Sequence, residues 1–168
     1  MSDFISGKCV MITGASRGIG AAAAREFAKA GANVVLVARS EESVADLAGE
    51  IGAQALAVPC DVSRYWEVEA AVRVSVETFG RLDAVIGNAG VIEPISLLAG
   101  SDPEGWGHAI DINLKGVYHG MRAAMPVMTG QEGAVVRLGD LARVTRGYVD
   151  PPMQILRYNG RPAVGMGI

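Results

Sequence analysis

Three glycines in Thr13-Gly14-Ala15-Ser16-Arg17-Gly18-Ile19-Gly20 are the residues whose type and spacing most directly imply chemistry. Glycine at such points permits a tight turn, close approach of backbone to a pyrophosphate, and close packing of a helix on a strand. A helix that begins inside the turn presents unpaired N–H groups and a partial positive charge, which suit an anionic bridge. The turn stands directly between an apolar run and an Ala-rich segment. Gly14, Ser16, Arg17, Gly18, Ile19 and Gly20 are therefore expected to form a phosphate-binding turn for a dinucleotide. The residue at the end of the next apolar run then bears on which dinucleotide it is. An acid there would hydrogen-bond the adenosine ribose of NAD, whereas a guanidinium accommodates the 2′-phosphate of NADP. Ala38-Arg39 occupies that place, and Arg17 adds a second planar fork of donors. NADP(H) is the expected cofactor, with NAD(H) as the alternative.

The elements needed to position these groups are legible in the apolar rhythm, which alternates short β-rich runs with longer helical stretches. Lys8 to Thr13 is near-continuously apolar, the pattern of a central strand buried on both faces. Ala21 to Ala30 follows as a helix with Gly31 just past its end, and Asn33 to Ala38 is the second strand. Ser40 caps a helix through about Ile51, and Ala53 to Pro59 is a third strand. Tyr65 to Phe79 is a helix closed by Gly80, and Leu82 to Ile86 a fourth strand. After a loop to Ser101, a long helix is predicted from Pro103 to about Met128, with Leu114, Val117, Tyr118 and Met121 near one face. Ala134 to Leu138 reads as a fifth strand. The fold class is α/β, a Rossmann-type doubly wound parallel sheet truncated after about five strands. Residues 1–138 are expected to form the incomplete dinucleotide-binding domain, and 139–168 a divergent tail without a confident element.

From about Ser6 to Val136 the chain resembles the short-chain dehydrogenases and reductases. The Gly14, Gly18 and Gly20 turn is similar to that family's cofactor motif. Asp61-Val62 after the third strand resembles its adenine-contacting pair. Gly87-Asn88-Ala89-Gly90 after the fourth resembles its Asn-Asn-Ala-Gly, with Gly for the first Asn. Asn113, in Asp111-Ile112-Asn113-Leu114-Lys115-Gly116, matches its helix-borne active-site Asn. The resemblance implies hydride transfer between the nicotinamide and a small carbonyl or alcohol substrate. It implies that Asp61, Val62, Asn88, Ala89 and Gly90 contact the cofactor, and that Asn113 holds a water in a proton relay ending at a Lys.

The rest of that machinery is not found. The family uses a Ser, and a Tyr whose proton transfer depends on a Lys four residues later, because a nearby cation favours the ionised phenol. Here the lysines are Lys8, Lys29 and Lys115, and the last serine is Ser101. Gly139-Asp140 stands where the family shows Ser-Ser, and Pro152 and Pro162 follow Tyr148 and Tyr158 at the Lys spacing. Arg161, three residues after Tyr158, is one position short. From residue 134 onward the chain has five Arg, two Asp and no Lys, Glu or Ser, a change expected of a reading-frame shift after about Val136 or another truncation.

Composition narrows the remaining classes. The 168 residues fit one domain, and 50% hydrophobic against 20% charged residues allow a sizeable core. A net charge of −3 argues against a nucleic-acid partner, and no apolar run has the length of a membrane span. A cytoplasmic protein is expected. Cys9 and Cys60 are read as buried small hydrophobes, and His108 and His119 as structural or surface residues. No metal site is expected. A homo-oligomer through the helix around 103–128 is the expected assembly. Three readings remain: an NADP(H)-dependent oxidoreductase, a dinucleotide-binding or relative-docking module without catalysis, and a non-functional truncated product.

Overall fold

The computed structural model describes residues 4–130 and the backbone of residues 156–158 and 161–163. By its contacts the chain divides into two units, Met1–Val135 and Val136–Ile168. The first is built from β1 (Cys9–Thr13), α1 (Gly18–Lys29), β2 (Asn33–Ala38), α2 (Glu41–Ile51), β3 (Ala55–Pro59), α3 (Tyr65–Phe79) and β4 (Ala84–Ile86). A short 3₁₀ turn, Leu98–Gly100, leads to α4 (Pro103–Ile110), a π turn (Asp111–Lys115) and α5 (Gly116–Gly130). In the second unit two short strands, β5 (Leu156–Tyr158) and β6 (Arg161–Ala163), pair antiparallel with Tyr158 opposite Arg161. That hairpin was not foreseen, because three-residue strands are too short to show a period.

The four strands of the first unit are all parallel, in the order β3-β2-β1-β4. Alternate residues of β1 enter opposite cores. Cys9 and Met11 pack with Leu82, Val68, Val72 and Ala124, while Val10 and Ile12 pack with Ala24, Ala28, Val44 and Leu47. A strand buried on both faces by helices is the defining feature of the doubly wound α/β arrangement. The expected fifth strand, Ala134–Leu138, lies outside the described residues.

Local signals explain most boundaries. Ser40 accepts a hydrogen bond from the Ser43 N–H at the start of α2, and Gly80 ends α3 in the left-handed region at φ 75°. Asp102 accepts from Glu104 and Gly105 N–H at the start of α4, with Pro103 in the first turn. Three element starts differ from the sequence reading by two residues or more. α1 begins at Gly18, inside the glycine turn; β3 and β4 begin two residues late, at Ala55 and Ala84, although Leu82 is fully buried. Leu82 fills the core without ladder pairing, which an apolar pattern cannot distinguish from a strand residue. The long helix is also not uniform, since the π turn inserts an extra residue per turn at Asn113.

Asp83 ties the sheet at the opposite end from the glycine turn. Its carboxylate accepts the Cys9 N–H at 2.8 Å and both donors of Arg81 at 2.6 and 2.7 Å, with Lys8 Nζ 3.4 Å away. Partial burial raises this acid, but the Arg81 and Cys9 hydrogen bonds outweigh it and hold the carboxyl below the ordinary Asp range. A depressed folded-state value contributes stability at neutral pH that is lost as pH falls below about 4. Asp83→Asn should therefore lower the melting temperature at pH 7 and flatten its acid limb, as measured by thermal unfolding from pH 7 to 3.

Candidate functional site

A cleft of about 560 Å³ opens at the carboxyl ends of the four strands. In an open parallel sheet this end is where crossover loops diverge and ligands bind. The glycine turn forms one wall. Gly14 adopts φ 66° and Gly18 φ 59°, conformations that glycine takes without strain. No side chain caps the first turn of α1 and no acid stands in it, so its N–H groups are free to meet an anion.

Behind the turn, Thr13 and Asn88 lock β1 to β4. Thr13 Oγ1 donates to the Ile86 carbonyl at 3.2 Å and accepts the N–H groups of Asn88 and Ala89, each at 3.0 Å. Asn88 Nδ2 donates to the Thr13 and Gly14 carbonyls at 2.9 and 3.2 Å, fixing the turn from behind. Thr13 is buried, so its isostere Val would leave the Ala89 N–H without its partner and withdraw the hydroxyl from the Ile86 carbonyl and the Asn88 N–H, which keep only their bond to each other. Thr13→Val is expected to lower unfolding free energy by about 2 kcal/mol, read from urea denaturation.

The side of the cleft formed by the ends of β2 and β3 combines cations, hydroxyls and one acid. Arg17, Arg39, Ser40 and Ser43 line it together with Cys60, Asp61 and Val62. Partial burial pushes the Asp61 carboxyl up, but the Ser63 hydroxyl and N–H, with Arg64 and Arg39 nearby, outweigh this and hold it below the ordinary range. Burial, with Glu67 and Asp61 alongside, pushes the Cys60 thiol up to about 12. Cys9 is likewise pushed up to about 12 by burial, and neither thiol is a nucleophile at neutral pH.

On the other side, Ala89, Gly90, Val91 and Ile112 complete the lining. Asn113 closes a reciprocal pair on Val91, its Nδ2 donating to the Val91 carbonyl at 2.7 Å and its Oδ1 accepting the Val91 N–H at 2.8 Å.

The family model described as short chain dehydrogenase matches residues 8–147. The chain belongs to the short chain dehydrogenase family. The chain is 36% identical over 151 residues to trans-4-hydroxycyclohexanecarboxylate dehydrogenase of Sinomonas cyclohexanicum, covering 84% of the chain and 58% of that relative. Against oxidoreductase UcpA of Salmonella typhimurium it is 40% identical over 140 residues, covering 82% and 53%. Among solved structures it is similar to a 3-ketoacyl-(acyl-carrier-protein) reductase of Brucella melitensis complexed with NADH. The TM-score is 0.71 at 38% identity, over 73% of this chain and 50% of that one. This dehydrogenase chain thus spans about half the length of the curated relatives it matches. The family match runs eleven residues beyond Val136, where the recognisable motifs stop. A family model sums weak preferences that a motif search does not see.

The dehydrogenase fold gathers most of the expected site residues. Gly14, Ser16, Arg17, Arg39, Asp61, Val62, Asn88, Ala89 and Gly90 share the one cleft. Gly18, Ile19 and Gly20 do not line it: Ile19 is 81% exposed, and Gly20 is pressed against the Gly14 carbonyl and Asn88. Asn113 does not line the cleft either, and both ends of its side-chain amide are engaged by Val91. Ser40 and Ser43 were missed as site residues, because a capping serine is a sufficient local explanation for Ser40 and only the third dimension brings Ser43 to the cleft that Arg17 lines. Thr13 was missed because its partners lie more than seventy residues away. Gly139, Asp140 and Tyr148 lie outside the described residues. Among the described residues no cluster of metal-ligating side chains occurs, and no helix is long and apolar enough to cross a membrane.

Proposed function

We propose that this chain binds NADP(H) in preference to NAD(H) in the cleft at the glycine turn, and that by itself it does not complete the hydride-transfer reaction of its family. One observation supports the cofactor preference above others: Arg17, Arg39, Ser40 and Ser43 all line the cleft, and no acid ends β2. A 2′-phosphate there would meet two guanidinium forks and two hydroxyls, whereas a ribose 2′-hydroxyl would find no carboxylate at that strand end. Gly14, Ser16, Gly18, Ile19 and Gly20 would form the diphosphate turn, Asp61 and Val62 the adenine wall, and Asn88, Ala89 and Gly90 the path toward the nicotinamide. When bound, the nicotinamide supplies the hydride acceptor or donor.

The second half of the reading rests on sequence. No lysine follows Lys115, and no serine follows Ser101. A phenol without an adjacent cation remains a weak acid-base group at neutral pH. Asn113 would then act on architecture, holding the loop after β4, instead of in a proton relay. The working boundary of the nucleotide-binding domain is residue 138, with 139–168 as a divergent tail. The proposed setting is the cytoplasm, where the buried thiols of Cys9 and Cys60 would stay reduced.

Association of copies through the long helix forms part of the same proposal. Leu114, Tyr118, Met121 and Met125 are each more than half exposed along one stripe of the π turn and α5, an apolar face that favours cover. Titration of the purified chain with NADPH and NADH, followed by fluorescence and melting temperature, tests the cofactor reading. NADPH is expected to bind at least tenfold more tightly, about 1.4 kcal/mol. Equal affinities, or tighter NADH, would defeat it.

A further inference from the structure

The π turn and α5 hold both walls of the nucleotide cleft with residues three apart. Asn113 pairs with Val91 on one wall. Gly116 admits Val62 on the other, since a Cβ there would lie 2.8 Å from Val62 Cγ2. One turn further, His119 Nδ1 lies 2.8 Å from the Val62 carbonyl oxygen. A carbonyl only accepts, so Nδ1 is the donor. Among the described residues no other donor reaches this oxygen. The imidazole is itself held in place: Tyr65 meets it edge-on with centroids 5.7 Å apart, and Tyr118 is tilted at 5.9 Å. Tyr65 in turn carries the Arg122 guanidinium 5.3 Å over its ring and donates its hydroxyl to Glu69 Oε1 at 3.1 Å.

Val62 is the last lining residue after β3, and Asp61 precedes it. β3 lies outside β2 in the sheet, on the side away from β1 and β4. A dinucleotide with its diphosphate at the α1 turn and its ribose at the end of β2 must therefore place its adenine toward β3. We propose that His119 is a positioning residue for the adenosine end of the bound nucleotide, holding Val62 and with it Asp61 at a fixed distance from the glycine turn. This rests on the cleft being the dinucleotide site. Among the described residues His119 makes no hydrogen bond to Asn88, Ala89 or Gly90; its proposed effect passes through the Val62 carbonyl. Loss of the donor leaves that part-buried oxygen without a partner and frees the loop between β3 and α3.

The test uses the full chain with adenosine 2′,5′-bisphosphate and NADPH as probes, titrated calorimetrically. His119→Phe retains an aromatic ring for Tyr65 and Tyr118 but removes the donor, and is expected to weaken both probes about tenfold. His119→Asn offers an amide N–H close to the position of Nδ1, and is expected to restore affinity to within about threefold of the unaltered chain. Unchanged affinity in His119→Phe would overturn the proposal. So would equal weakening in both variants, which would mean that the ring matters only for packing. If the unaltered chain bound neither probe nor NADH, the dinucleotide reading would fall, and this inference with it; binding by the unaltered chain with indifferent variants would sink the inference alone.

Discussion

Arg39→Asp is expected to invert the nucleotide preference, weakening NADPH about 100-fold and strengthening NADH several-fold. Arg39 follows β2 directly and lines the cleft with Arg17, the place to which the proposed function assigns the adenosine ribose. A charge-assisted hydrogen bond contributes about 1.5–3 kcal/mol, and replacing the cation by an anion adds repulsion of the phosphate to that loss. The new carboxylate would also accept hydrogen bonds from an unphosphorylated ribose. Asp61 lies near enough to feel Arg39, so the variant places two acids on the same side and the effect on NADPH is larger than charge removal alone. Arg39 is exposed, and the ratio should shrink as salt rises. Arg25→Gln serves as the control. Its guanidinium is engaged by Glu50 at 2.6 and 2.7 Å and does not line the cleft, so the NADPH to NADH ratio should be unaltered. Paired fluorescence titrations of the three chains at about 0.1 M salt decide the matter; an unmoved ratio in Arg39→Asp would remove that residue from the site.

Gly20→Ala is expected to be the most damaging single-methyl change in the described part of the chain, lowering stability by roughly 3 kcal/mol and the melting temperature by ~10 °C. The added Cβ would overlap the Gly14 carbonyl oxygen and stand 2.6 Å from Asn88 Nδ2. Both atoms belong to the lock between β1 and β4, so relief requires α1 to lift from the sheet or the Asn88 amide to abandon Thr13 and Gly14. Either movement disturbs the anion-binding turn, and nucleotide binding should be lost along with stability. Gly18→Ala provides the contrast. At Gly18 a Cβ meets nothing within 4 Å, and only the positive φ of 59° opposes it. That conformation costs an alanine about 1–2 kcal/mol, so this variant should fold and retain measurable NADPH affinity. Comparable losses in the two variants, by calorimetry and titration, would show that the close contact at Gly20 costs no more than the positive φ at Gly18.

The two glycines illustrate what the residues alone disclose. Their place between an apolar run and an Ala-rich run marks a turn that admits a phosphate, but which glycine serves φ and which serves contact is not written in the spacing. The exposed stripe of the long helix is a similar case. Leu114, Val117, Tyr118 and Met121 share a face by periodicity, yet the buried positions nearby are Ile112, Gly116, Gly120, Ala123 and Ala124. Gly116 and Gly120 face inward because the helix lies close against Val62 and Val85, and Leu114, Tyr118 and Met121 are left outside while Val117 is half-buried against Gly87. A moment computed from hydrophobicity favours the large side chains and so misses which side is closely packed.

Local chemistry in the chain determined β2 and α3 to the residue, the serine cap of α2, the glycine stop of α3 and the position of the glycine turn. Each depends on contacts within a few residues, where propensity and hydrogen-bond geometry act directly. The tertiary structure alone decided that Thr13 would be satisfied by Asn88 and Ala89, that Ser43 would line the same cleft as Arg17, and that His119 would hold Val62. Parallel strands are joined by crossovers, so the groups that meet at their carboxyl ends are separated by whole helices in sequence. Their partnership is fixed by sheet order and not by any spacing the chain displays.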